Sequence, residues 1–238
     1  MIPLTGGRLT HGVVRIEDTV RRPASEKSAF TAELLHLLEA QGFAGAPRHL
    51  GQDDDGRDIL TYLDGWVPPR FQRWQDDQLA AAGALIRAFH DATRGSRLAG
   101  HHPVVCHHDP GPNNFVFRDN RPVALIDFDT TEPGSPLEDI GYAAWTWCIA
   151  SKYDDPDRQA AQVRVLADAY GLTAPQRTAV VDATMEQQLR NARFWTEVVA
   201  EVTDRQRAER IAWSRREHTF TAATRHIFEA ALTGGRPF

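Results

Sequence analysis

The sequence predicts an α+β fold in two lobes: a small antiparallel sheet with one helix over residues 1–64, and a mainly helical remainder over residues 65–238. Three observations carry that expectation. Up to Asp64, short apolar or β-branched runs alternate with turn residues. From Asp76 onward, apolar residues recur at helical spacing through long stretches. Within this second part, the segment VVCHHDPGPNNFVFRDNRPVALIDFDTTEPGSPLEDIGY, residues 104–142, interposes short apolar runs and polar turns. The boundary between two such lobes is a usual place for a ligand.

Bulk properties narrow the function class. The chain is 42% hydrophobic and 25% charged, an ordinary globular balance. A formal net charge of -5 gives no electrostatic footprint for nucleic acid. Cys106 and Cys148 lie in no metal-ligand spacing and read as buried thiols of a reducing compartment. The apolar patch Tyr142–Ala150 is too short to span a bilayer. Met1 is followed by IPLTGGRLT, without a basic stretch or a long apolar run, so the expected location is cytoplasmic. Neither a nucleic-acid nor a membrane partner is expected.

In chain order, Leu4–Gly12 is a glycine-bearing turn containing Gly6 and Gly7. Val13–Ile16 and Thr19–Arg22 are strands joined by a Glu17-Asp18 turn and closed by Pro23. Ser25 or Ser28 caps a helix to about Gln41, stopped by Gly42, with Phe30, Leu34, Leu37 and Leu38 on its buried stripe. A strand from Ala46, a polar turn at Gln52–Arg57 and a returning strand from Asp58 to Leu63 complete the sheet.

Asp76–Thr93 is a helix whose stripe includes Leu79, Ala82, Ile86 and His90, the last a core or interface histidine. Pro136–Ala150 reads as a helix apolar on most sides, the buried spine of this lobe. Further helices are expected from Asp155-Pro156 to Tyr170, over Ala174–Ala200, and over Asp204–Thr233.

The central segment carries the chemistry. Val104–Cys106 delivers His107, His108 and Asp109, and Asn114 follows five positions after Asp109. Phe115–Phe117 and Val123–Ile126 flank the turn Arg118–Asn120, and the second strand ends on Asp127, with Asp129 two positions on. This order brings Asp109, Asn114 and Asp127 to one edge. One carboxylate to take a hydroxyl proton, with an amide oxygen and a second carboxylate to hold Mg²⁺, suits phosphoryl transfer from a nucleotide.

The phrase resembles the aminoglycoside phosphotransferase (choline/aminoglycoside kinase-like) family. The likeness rests on His107-x-Asp109 with Asn114, on Ile126-Asp127-Phe128-Asp129, and on Pro136–Ile140. Two features depart from the family pattern: His108 stands where Gly is common, and arginine replaces the strand lysine, Lys27 and Lys152 being the only lysines.

The resemblance implies a protein-kinase-like two-lobed fold, Mg²⁺, ATP or GTP as donor, and a small hydroxylated acceptor. It makes Asp109 the catalytic base, Asn114 and Asp127 the metal ligands, and His107 a prop for the loop. Asp129 is a supporting acid or a substrate contact. Asp139 would order the catalytic loop by accepting its backbone N–H groups. One of Arg21 and Arg22 would pair with the phosphates, since strand alternation points only one inward. Glu33, with Glu26 in reserve, would pair with that cation, and Gly6-Gly7 would approach the phosphates. Leu60–Asp64 would be the hinge. The alternative from another class is a nucleotide-binding or immunity protein on the same fold, with little or no turnover.

Overall fold

The computed structural model describes residues 2–4, 12–68, 72–197 and 202–234. The turn with Gly6 and Gly7 lies outside the described residues. Strands β1 (Ile2–Pro3), β2 (Val14–Ile16), β3 (Thr19–Arg22), β4 (His49–Gln52) and β5 (Asp58–Thr61) form one antiparallel sheet in the order β1-β2-β3-β5-β4. Period-two alternation in β3 sends its two arginines to opposite faces. Helix α1 (Ser28–Ala40) buries Leu34, Leu35 and Leu38. Neither serine caps it: the cap position is Lys27, without a side-chain bond. Ser28 Oγ instead accepts from Ser25 N–H (3.0 Å) and donates to Asp58.

The connection to the large lobe is pinned at Trp66. Its N–H donates to Phe117 O (2.9 Å) and its carbonyl accepts from Phe117 N–H (2.7 Å), an isolated antiparallel bridge. Gly65 precedes it at φ +145°, and a Cβ there would meet the Phe117 carbonyl oxygen at 2.6 Å. Only glycine lets the backbones approach so closely.

Helix α2 (Asp76–Thr93) then crosses the large lobe with Leu79, Ala82, Ile86 and Phe89 buried. Two short two-stranded antiparallel sheets follow. Strand β6 (Val104–Cys106) pairs with β9 (Glu132–Gly134), and β7 (Phe115–Arg118) pairs with β8 (Arg121–Leu125). Strand β9, Glu-Pro-Gly, carries turn residues and has no strand signature in the sequence; it pairs because β6 offers it a partner.

Helix α3 (Pro136–Ala143) starts with a Ser135 capping box closed by Glu138. It does not run on as an α-helix to Ala150: Ala144–Cys148 is a π-turn, after which Ile149 is extended. Helices α4 (Pro156–Tyr170) and α5 (Ala174–Glu197) follow. The long helix expected over Asp204–Thr233 divides at Thr224 into α6 (Asp204–Ala223) and α7 (Arg225–Thr233). The break lets α7 turn and bury Phe228 and Leu232 in the core beside α4. At about 1.5–3 kcal/mol per buried large apolar side chain, those two contacts outweigh helix continuity.

Candidate active site

Strand β6 is fully buried, so the chain leaves it at a fixed place. Asp139, in the first turn of α3, is wholly buried and accepts from the backbone N–H groups of His107 and His108, each at 2.7 Å. Its third partner is His90 Nε2 at 2.9 Å, and His90 Nδ1 reaches the Tyr170 hydroxyl at 2.8 Å. Burial alone would raise the Asp139 pKa; the His90 hydrogen bond and the charges of His90, His108 and His107 lower it instead. His90, legible in the sequence only as an inward-facing histidine, is therefore the side-chain partner of the loop's anchor.

Four further bonds shape the loop. His107 is buried, its Nε2 3.0 Å from Ile126 O and its ring against Phe128. Thr130 Oγ1 donates to His107 O (2.8 Å). The π-turn places Trp147 so that its Nε1 donates to Pro110 O (2.9 Å). Asn114 Nδ2 donates to Asp109 O (2.8 Å). His108 takes φ +64°, where glycine is the easier residue. Its Nε2 lies 3.5 Å from Glu138, which Arg190 holds at 2.7 Å.

Asn114 and Asp127 are neighbours across the β7–β8 ladder, because Ile126 N–H donates to Asn114 O at 2.9 Å. Asp127 is left-handed at φ +65° and sits just before a 3-10 turn, Phe128–Thr130. Its surface is open to solvent, yet the protein around the carboxyl still raises its pKa. Desolvation is the largest cause and the Asp129 charge the next; Asp109 adds to the rise, while Arg22 and His107 oppose it. Asp109, Asp127 and Asp129 thus share one electrostatic neighbourhood. An all-oxygen set of crowded carboxylates with the Asn114 amide suits a hard divalent cation, which would relieve the repulsion. Asn114 Oδ1 already accepts from Asn113 Nδ2 (2.9 Å) and retains a second lone pair.

The small lobe contributes Arg22. Its guanidinium pairs with Asp129 across the cleft and the residue is only 9% exposed. Arg21 lies on the other face, bonded to Thr19 Oγ1 (2.6 Å) and 3.7 Å from Asp53. The expected partnership with Glu33 is not what forms. Glu33 lies on the exposed face of α1 and pairs with Arg97 at 2.8 Å. Glu26 is exposed before the helix begins. The carboxylate that meets the strand cation is Asp129, and helical position alone does not reveal that substitution.

A family model described as the phosphotransferase enzyme family matches residues 57–181. The trifolitoxin immunity protein of Rhizobium leguminosarum bv. trifolii is 33% identical over 97% of this chain and 98% of its own. A choline/ethanolamine kinase family protein from Mesorhizobium loti superposes with a TM-score of 0.61 at 18% identity, covering 96% of this chain and 91% of that one. The gentamicin complex of APH(2")-IIa gives 0.60 at 17% identity, covering 95% and 92%. The solved structures share the protein-kinase-like fold with this chain.

Proposed function

The chain belongs to the phosphotransferase enzyme family, and from that premise we propose that it transfers the terminal phosphate of ATP or GTP to a hydroxyl of a small molecule. The observation that carries this reading is the gathering of Asp109, Asn114, Asp127 and Arg22 at one cleft. Residues 1–64 would supply the nucleotide lobe and residues 65–238 the catalytic loop and the acceptor side. The two cysteines are free and buried, which suits a reducing cytoplasm. Among the described residues, no helix is long and apolar enough to cross a membrane.

Each residue then has a stated task. Asp109 accepts the proton of the acceptor hydroxyl as that oxygen attacks phosphorus. Asp139 and His107 hold the Asp109 loop, so that little reorganisation is needed at the moment of transfer. Asn114 Oδ1 and Asp127 would hold Mg²⁺, whose chemistry is to neutralise charge on the phosphates. Arg22 offers a planar fork for phosphate oxygens, and Asp129 orients it.

A second reading is favoured by the 33% identical relative, an immunity protein. On that reading the chain protects its cell against a toxin by binding, with little or no turnover. A nucleotide-consumption screen separates the two. ATP and GTP are incubated with Mg²⁺ over aminoglycosides, macrolides, amino alcohols and sugars. The proposal expects acceptor-dependent consumption with at least one class; metal-dependent nucleotide binding without consumption on any acceptor would favour the immunity reading.

A further inference from the structure

Gly134, the last residue of β9, lies against the loop that leaves β6. Beyond its chain neighbours, the three heavy atoms nearest to a Cβ built there would be Cys106 Sγ at 2.9 Å, Glu138 Oε1 at 2.9 Å and His108 Nε2 at 3.2 Å. A sulfur, an oxygen and a nitrogen thus converge on the space that this glycine leaves. The ligand atoms of the three residues lie within 4.8 Å of one another. Cys106 ends β6, His108 belongs to the loop after it, and Glu138 joins from the first turn of α3. The spacing of the cysteines in the sequence gives no sign of this grouping, because its members come from three elements.

Each atom retains coordinating capacity. His108 Nε2 is buried and makes no hydrogen bond. Glu138 accepts from Ser135 N–H on Oε1 (2.9 Å) and from Arg190 on Oε2 (2.7 Å), two of about four lone-pair sites on a carboxylate. Cys106 Sγ donates to Ser135 O at 3.1 Å. Burial and the charges of Asp139 and Glu138 raise the thiol pKa well above its ordinary value, against a lesser pull from Arg190, so it is a neutral thiol here. The field that resists a thiolate attracts a cation, and a coordinating cation deprotonates a thiol outright.

We propose that Cys106, His108 and Glu138 form a binding site for one thiophilic divalent transition cation, with Zn²⁺ as the type. Thiolate and imidazole select such an ion over Mg²⁺, which takes oxygen ligands. In a tetrahedral zinc site, bonds of about 2.0–2.3 Å set ligand atoms about 3.3–3.7 Å apart. His108 Nε2 and Glu138 Oε2 are already 3.5 Å apart. On binding, the Cys106 proton leaves to solvent as the sulfur–metal bond forms, and Ser135 O gives up that donor. Arg190 and about half a positive charge at the α3 N-terminus oppose a cation. Glu138, Asp139 and the new thiolate outweigh them, and a dication brings the balance near neutral. The side chains of His108 and Glu138 keep 17% and 28% exposure, which leaves a way in for the ion and a fourth position for water. The site needs neither nucleotide nor turnover, so it stands apart from the phosphotransfer reading.

The test is a titration of the full chain with Co²⁺, using a phosphine in place of thiol reductants. The readout is the near-ultraviolet charge-transfer band of a cobalt–thiolate bond. The expected result is a band that saturates at one equivalent, is displaced by Zn²⁺ and survives excess Mg²⁺. Cys106→Ser should abolish it. His108→Gly suits the left-handed backbone at that position and should fold, while weakening Co²⁺ by about tenfold to a hundredfold or more. No band at millimolar Co²⁺, a band that persists in Cys106→Ser, displacement by Mg²⁺, or unchanged affinity in His108→Gly would each overturn the assignment. Should Cys106→Ser fail to fold, Cys148→Ser locates the thiolate: a retained band supports the site, and a lost band contradicts it.

Discussion

On the large-lobe side of the cleft, one wholly buried carboxylate, Asp139, fixes two backbone N–H groups and a histidine. On the small-lobe side, Arg22 is held, among the described residues, by one side-chain pair to Asp129 on the opposite wall. Among the described residues, the other ion pairs between the lobes, Lys27–Glu132 and Glu33–Arg97, are exposed and contribute little. The difference teaches where the cost of organisation is met. Folding organises the large-lobe half, because its anchors are core residues. Docking of the two lobes organises the small-lobe half, because the partner of Arg22 belongs to the other wall.

The comparison breaks first at Asp139. Asp139→Ala leaves His90 and two backbone donors buried without their acceptor, and should cost about 3–5 kcal/mol of stability, read by denaturant unfolding. A loss below about 1 kcal/mol would mean the loop is held by something else. The pH dependence has a definite sign. Because the folded-state pKa is lowered, this contribution is present above the ordinary aspartate range and fades as pH falls through the lowered value.

A second test concerns the arginines. Arg22→Ala should weaken nucleotide binding by about tenfold to a hundredfold, the worth of a charge-assisted bond to phosphate. Arg21→Ala should change it little. Similar losses from both would erase the distinction drawn between the two faces of β3.

Asp127 gives a smaller effect of opposite sign. Its folded-state pKa is raised, so the folded state binds more protons than the unfolded one between the two values, and the contribution of this group to stability falls as pH rises through that window. Asp127→Asn removes the crowded charge. In the absence of nucleotide it should leave the protein slightly more stable at neutral pH, an effect that solvent screening of this exposed carboxyl keeps small, while weakening Mg²⁺-dependent nucleotide binding. A lower melting temperature for the variant would contradict the crowding argument. Least of all, Glu33→Ala should change stability by under about 0.5 kcal/mol, as an exposed pair.

Those differences track what was legible in the sequence. The β6 strand, the five-residue spacing to Asn114 and the strand-end Asp127 are local patterns, and the structure realises β6, the β7–β8 hairpin and α2 close to the expected bounds. Glu33 reads as a partner for a strand cation from helical position alone, but its helix turns that face outward to Arg97. Choosing Arg22 over Arg21 needs the sheet's register against β5 and its placement over Asp129. The split at Thr224 and the pairing of Glu132–Gly134 are also tertiary outcomes, dictated by the α4 surface and by β6. Local patterns were readable, and the resemblance supplied the long-range contact of Asp139 with the loop N–H groups; these other outcomes, which depend on partners distant in the chain, were not.

Phosphate transfer itself tests the account most directly. Radiolabelled ATP or GTP is incubated with Mg²⁺ and the acceptor found by screening, and the wild type is compared with Asp109→Asn, which keeps the size and most hydrogen bonds of the side chain. The account predicts labelled acceptor from the wild type and a rate about 10²–10⁴ lower from the variant, with nucleotide affinity nearly unchanged. Equal rates from the two proteins would contradict it, and would remove Asp109 from the mechanism.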